Sequence, residues 1–219
     1  MNITEKIKYQ LENTGRILSN TSYYYYNLDY LINKTSEEEK VVFNSFPVLK
    51  KIRLTLWSLI VLDLHKILSE SSHDKFRIHK LINLLINSFK SIKWEREIEI
   101  EELKKIKVDL DKIQPKIEKI KEIRDTQIAH FDDIKLDYRL ELIELKELIN
   151  FCQDTYNIIT HSLRNSTTYW KFSDSEMFNS VVINLNKYSK IKNLFFKNLA
   201  SMNEKIDTSE ISKIIKASS

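Results

Sequence analysis

A single glycine, Gly15, and two prolines, Pro47 and Pro115, serve the whole of a 219-residue chain. Tight β-hairpins need residues that tolerate positive φ or that preset a turn. So few of them exclude a protein built on short hairpins and leave long elements joined by sparse turns. Leu, Ile, Lys and Glu fill the stretches between, which suits long helices. Ile is β-branched, but here it recurs at three- and four-residue steps, and spacing outranks propensity. The chain therefore reads as all-α, an up-down bundle of long antiparallel helices with additional N- and C-terminal helices.

Residues 4–33 read as a first helix, with Leu11, Ile17, Leu18, Leu28 and Leu31 among its apolar positions. It holds "SYYYY" at 22–26. At about 100° per step, four consecutive tyrosines occupy all sides of a helix, so at least one faces away from the core. Ser36 and Glu39 have the spacing of a capping box. Another start follows at Ser45, with Pro47 in the first turn, where its missing N–H does no harm. The run from there to about Ser69 is the most apolar, and Trp57, Leu59, Ile60, Leu62 and Leu64 mark it as central. Residues 69–74 read as a loop, and Phe76, Leu81, Leu84, Leu85 and Phe89 as an amphipathic helix. From about Glu97 to Phe131 the apolar pattern is long and regular, and Pro115 either kinks it or begins a new helix within it. Residues 132–137 read as a break with Asp137 as a cap, 138–163 as a helix, and 164–176 as a loop. The rest reads as a final helix or two, interrupted near 203–210. One domain over 1–219 is expected, with a core at about 45–165 and the helices 4–33 and 174–216 packed on it.

The net charge of +4 comes from 35 basic and 31 acidic residues. It permits contact with nucleic acid and does not demand it. Cys152 stands alone, which rules out an internal disulfide and suits a reducing compartment. Burial as an inert core residue fits it better than pairing with His161 as a nucleophile. "LTLWSLIVL" at 54–62 stops at Asp63, far short of the ~20 residues that span a bilayer. The first residues carry charge too evenly for a signal peptide. A cytoplasmic protein without a membrane partner is expected. The histidines have no metal-ligand spacing, and one glycine cannot build a phosphate loop. No metal and no cofactor is therefore expected. Seven lysines, at 187, 190, 192, 197, 205, 213 and 216, face Glu204, Asp207 and Glu210 in the tail. That suits either a solvated face or a grip on RNA phosphates.

One residue breaks the regular stripe. With Ile120 at zero on a helical wheel, Ile113, Ile117 and Phe131 cluster within about 60°, and Arg124 falls at about 40°, among them. Gln127 shares the arc. A guanidinium among apolar neighbours carries a desolvation cost unless it is paired or half open to water. Two readings fit. Arg124 is a structural arginine paired with a carboxylate of another helix, such as Asp63 or an acid within 138–147. Or it is held at a cleft or dimer seam to receive an anion, for which its planar fork and permanent charge suit it. His130 follows six residues on, and a histidine can act as acid or base near neutral pH.

Arg124, the polar Asp125, and His130 after five intervening residues resemble the signature of the HEPN superfamily (higher eukaryotes and prokaryotes nucleotide-binding). That signature separates its Arg and His by four to six residues. The longer "RDTQIAHFD" is similar to the R-D-x-x-x-A-H-x-D form of the abortive-infection AbiU-type branch. "LHKILSESSHDKFRIHKLINLL" at 64–85 resembles that branch less specifically, and the broader likeness covers about 50–160. The resemblance implies a helical bundle that forms a homodimer through its motif helices. It also implies a metal-independent endonuclease with an RNA substrate, acting as a toxin or antiphage, abortive-infection effector. An antitoxin or regulatory protein is then a further partner. Arg124 would clamp the phosphate, His130 would act as acid and base, and Asp125 would orient one of them. One departure is notable: HEPN toxins modified by a nucleotidyltransferase partner carry a tyrosine two residues after the histidine, where this chain has Asp132. The alternative is a non-catalytic helical module of the same fold that binds RNA or a protein.

Overall fold

The computed structural model of the chain describes residues 2–70, 76–128, 140–170, 176–200 and 213. The all-α expectation holds: these residues form eight α-helices and short 3-10 and π turns, and no strand is present among them. The helices are α1 (Ile3–Asp29), α2 (Glu37–Ser45), α3 (Pro47–Leu68), α4 (Ile78–Asn87), α5 (Ile100–Lys112), α6 (Gln114–Ile123), α7 (Leu142–Arg164) and α8 (Glu176–Ala200). They fall into two compact units, 1–28 with 55–171, and 29–54 with 172–219.

The first unit holds a hydrophobic core to which α1, α3, α4, α5, α6 and α7 all contribute. Leu11, Ile60, Leu85, Leu103, Ile120 and Leu148 represent them, each fully or almost fully withdrawn from water. Such burial is worth roughly 1.5–3 kcal/mol per large apolar side chain. Three of the polar residues on the buried side of α1 are satisfied locally. Thr21 Oγ1, Ser22 Oγ and Asn27 Nδ2 each donate to the carbonyl four residues back, at 2.8, 2.6 and 2.7 Å. Ser22 also accepts from Gln153 Nε2 of α7 at 2.8 Å. Of the tyrosine run, Tyr24 and Tyr25 pack on the core while Tyr23 faces out, as the geometry of four in a row requires.

Gly15 marks a close crossing. A Cβ there would lie 2.6 Å from the Tyr156 hydroxyl oxygen and 2.9 Å from its Cζ. Its backbone has no positive φ, so the lack of a side chain, not conformational freedom, is what the position uses. Tyr156 also stacks edge-on against Trp170, with centroids 5.5 Å apart. Burial pushes its hydroxyl pKa up, and the Glu12 charge adds to that. The residues after α7 are irregular where described. Asn157 holds them with two bonds, Nδ2 to the Thr168 carbonyl at 3.2 Å and Oδ1 from the Thr168 N–H at 3.0 Å. The left-handed residue ending α7 is Asn165, φ 50°. Asn takes that role where glycine is usual, consistent with a chain that has a single glycine.

Pro115 begins a helix and does not kink one. α5 closes at Lys112, and the Ile113 carbonyl accepts from the N–H groups of Lys116 and Ile117 at 3.0 and 3.1 Å. Pro115 then stands in the first turn of α6, where a proline N–H is not needed. α7 starts at Leu142, later than the expected 138. Glu141 and Glu144 cap it reciprocally, Glu144 Oε2 accepting from the Glu141 N–H at 2.8 Å. The expected cap, Asp137, lies outside the described residues. So do the expected breaks at 132–137 and 203–210.

In the second unit α1's continuation is a π turn, Tyr30–Lys34. The expected capping box opens α2: the Ser36 hydroxyl accepts from the Glu39 N–H at 3.2 Å, and Glu39 accepts from the Ser36 N–H at 2.6 Å. Such a cap is worth about 1 kcal/mol. Glu39 also accepts from the Tyr30 hydroxyl at 3.2 Å, and burial together with that carboxylate raises the Tyr30 pKa. Phe43 is buried beneath Arg53, whose guanidinium carbon lies 4.9 Å from the ring centre. Burial lowers the Arg53 pKa. α8 packs against α2.

Candidate functional site

α6 carries Ile117, Ile120 and Ile123 to the core, and it ends where the stripe is interrupted. Arg124 closes it with its N–H on the carbonyls of Ile120 and Lys121. A cation at a helix C-terminus is favoured by the exposed carbonyl dipoles. From Arg124 to Ile128 the chain winds as a π turn, a form that is rare and recurs at functional sites. Thr126 Oγ1 donates to the Glu122 carbonyl at 2.7 Å and fastens the turn. Ile128 packs back on the core.

Arg124 is half-buried, with 34% of its side chain exposed. Its Nη2 pairs with a carboxylate oxygen of Asp125. Its Nε is buried and has no hydrogen-bond acceptor among the described residues. Acids of other helices that could pair with Arg124 are engaged elsewhere. Asp63 pairs with Lys66 at 2.8 Å, Glu144 with Lys119 at 3.2 Å, and Glu147 with Lys116. Glu144 lies in a partly buried setting that opposes its ionisation. The Glu141 N–H and the Lys119 ammonium outweigh that and hold its carboxyl below the usual 4.5. These two lysine pairs fasten α6 to α7, so the element that presents Arg124 is itself anchored.

The geometry thus brings together two of the three residues singled out by sequence, Arg124 and Asp125. His130, with Ala129 and the side chain of Gln127, lies outside the described residues. The exposed part of this half-buried guanidinium has the chemistry to bind an oxyanion. Guanidinium N–H groups form charge-assisted bonds to phosphate that are about twice as strong as neutral ones. No group of three or more potential metal ligands occurs among the described residues. Cys152 is buried, and burial raises its thiol pKa far out of the reactive range.

The family model of AbiU2, a HEPN group, matches residues 2–179. The chain belongs to the AbiU2 family of HEPN proteins. The match spans most of the chain, from the start of α1 into the first turn of α8, and includes the motif segment with Arg124 and His130. No curated protein and no solved structure matches it. Abortive-infection HEPN membership and the all-α fold therefore stand together. No described helix is long and apolar enough to cross a membrane.

Two features of the site had no clear signal in the sequence. The π turn depends on how α6 ends against the core, and no residue type announces it. The Arg124–Asp125 pair joins neighbours in sequence, which on a regular helix diverge by about 100°.

Proposed function

We propose that this AbiU2 protein is a metal-independent RNA endonuclease that works as a cytoplasmic homodimer in abortive infection. The observation that carries the reading is the Arg124 guanidinium on the motif of a HEPN family member, half-exposed, with a desolvated Nε that no described residue engages. In the proposed reaction one His130 accepts the proton of a ribose 2′-hydroxyl, whose oxygen attacks the adjacent phosphorus. The phosphorus–5′-oxygen bond breaks, and His130 of the second copy gives its proton to the leaving oxygen. The products are a 2′,3′-cyclic phosphate and a 5′-hydroxyl. Arg124 clamps the phosphate while negative charge builds on it. Asp125 orients Arg124, a positioning role that its ion pair supports. Acid and base both need a histidine and the motif supplies one, so the mechanism requires two copies. A neutralising protein partner fits a toxin of this kind.

The test is cleavage of single-stranded RNA in excess chelator. Arg124→Ala and His130→Ala are each expected to lower the rate by at least about 100-fold while far-ultraviolet circular dichroism is unchanged. Cleavage that survives in either variant, or that requires a divalent metal, contradicts the proposal.

A second reading is favoured by one observation: Asp125 already neutralises Arg124 within one chain, as it would in a structural role. The protein is then a non-catalytic helical module that binds RNA or a protein. It would leave RNA intact and yield a specific partner on pull-down.

A further inference from the structure

α8 is amphipathic in composition, yet of the side chains described between 180 and 197 none is buried. Val181, Tyr188, Phe195 and Phe196 are all exposed, Tyr188 and Phe196 by 57% and 56%. On the helical wheel these four lie within about 100° of one another, and the stripe runs about 22 Å along the axis. Lys192 falls in the middle of the same arc. Its Nζ lies 5.9 Å from the centre of the Phe196 ring, which in turn meets Phe195 edge-on at 5.9 Å. Along its whole length α8 carries four lysines, Lys187, Lys190, Lys192 and Lys197, and a single acid, Glu176. The family match ends at 179, so nearly all of this face lies outside the matched residues.

The charge decides between occupants. A second copy of α8 would set one stripe against another, with Lys192 in the seam of each. A bilayer surface calls for an apolar face free of charge at its centre, and Lys192 stands there. An anionic polymer with flat faces answers both halves of the pattern. Aromatic rings accept bases by stacking without regard to sequence, and a lysine set among them meets the phosphate between.

We propose that the α8 stripe of Tyr188, Lys192, Phe195 and Phe196 is a binding site for single-stranded RNA, separate from the Arg124 motif. The choice of RNA over other single strands rests on the function proposed above; the stacking site itself does not. Bases lie against Tyr188 and the Phe195–Phe196 pair, and Lys192 meets the intervening phosphate. A duplex, whose bases are already stacked, is bound less tightly.

The test is fluorescence anisotropy with a labelled 2′-O-methyl RNA 12-mer, which lacks the nucleophile and so reports binding without cleavage. The full chain is compared with the triple variant Tyr188→Ala, Phe195→Ala, Phe196→Ala and with Lys192→Gln. Circular dichroism and the melting temperature check that each folds. The triple variant is expected to bind at least about tenfold more weakly. Lys192→Gln, which keeps the aromatic surface, is expected to lessen the salt dependence by about one phosphate contact. If the triple variant unfolds, Lys192→Gln and the single Phe196→Leu carry the same comparison. Cleavage of a dinucleotide, which needs no stacking on α8, separates the two proposals. Weakened 12-mer binding supports this one whether or not the dinucleotide is cut. Unchanged 12-mer affinity overturns it. So does unchanged affinity accompanied by lost binding to phosphatidylserine vesicles, or by lost dimerisation in light scattering.

Discussion

Gly15 and Arg124 each stand out from their helix, and the physical reasons differ. Gly15 is where the Tyr156 ring crosses α1. An added methyl forces that ring or helix to shift, at about 1–3 kcal/mol, against a gain of about 1 kcal/mol from better helix propensity. Gly15→Ala is therefore expected to lower the melting temperature by about 2–4 °C, read by differential scanning fluorimetry. In a Tyr156→Leu background the same change is expected to raise it, because only the propensity gain remains. A rise in the wild-type background would contradict this packing. In the sequence Gly15 tells only that turns are few, because its reason for being glycine lies on another helix. Arg124 was legible as an off-pattern charge because α6 is regular up to Ile123 and the wheel is valid there. Its relation to Asp125 was legible only through the HEPN resemblance, in which Asp125 orients Arg124 or His130.

Among the elements, local chemistry with a short sequence span was readable and chemistry that needs tertiary context was not. The Ser36–Glu39 box and Pro47 at the head of α3 stand as expected. The pattern around Pro115 left a kink and a fresh helix equally open, and the Ile113 carbonyl resolves it as a fresh helix. The sequence pattern points to a start of α7 at 138, four residues before the observed Leu142, because glutamate is an unusual cap. Glu144, which completes that cap and also pairs with Lys119, makes the α6–α7 junction sensitive to acid. Its carboxyl is held below its usual 4.5, so its contribution is present above that value and is lost as pH falls through the lower, folded one. Urea midpoints are expected to fall as the pH drops below 4.5, and to fall less steeply in Glu144→Gln. Equal slopes for the two proteins would show that this carboxylate does not couple the helices. The same variant at neutral pH is expected to be less stable than wild type, since Lys119 loses its partner.

For the molecule as a whole, the scarcity of glycine and proline and the three- and four-residue spacing were enough to read the all-α class. The likeness of nine residues to a HEPN motif was enough to reach a family that matches 2–179. The division into two compact units was not legible, since no linker composition marks it: α3 is one unbroken helix across residues 54 and 55. The central claim is a property of two chains, not one: the catalytic notch is complete only when two motifs meet. It is tested most directly by poisoning. Wild-type chain is mixed with an equal amount of His130→Ala chain, dissociated and allowed to reassociate, and RNA cleavage is measured at fixed wild-type concentration. Random pairing leaves about half of the wild-type chains in intact dimers, so the rate is expected to fall to about half. A rate unchanged by the added variant, with light scattering showing that the chains have exchanged, would contradict a shared site.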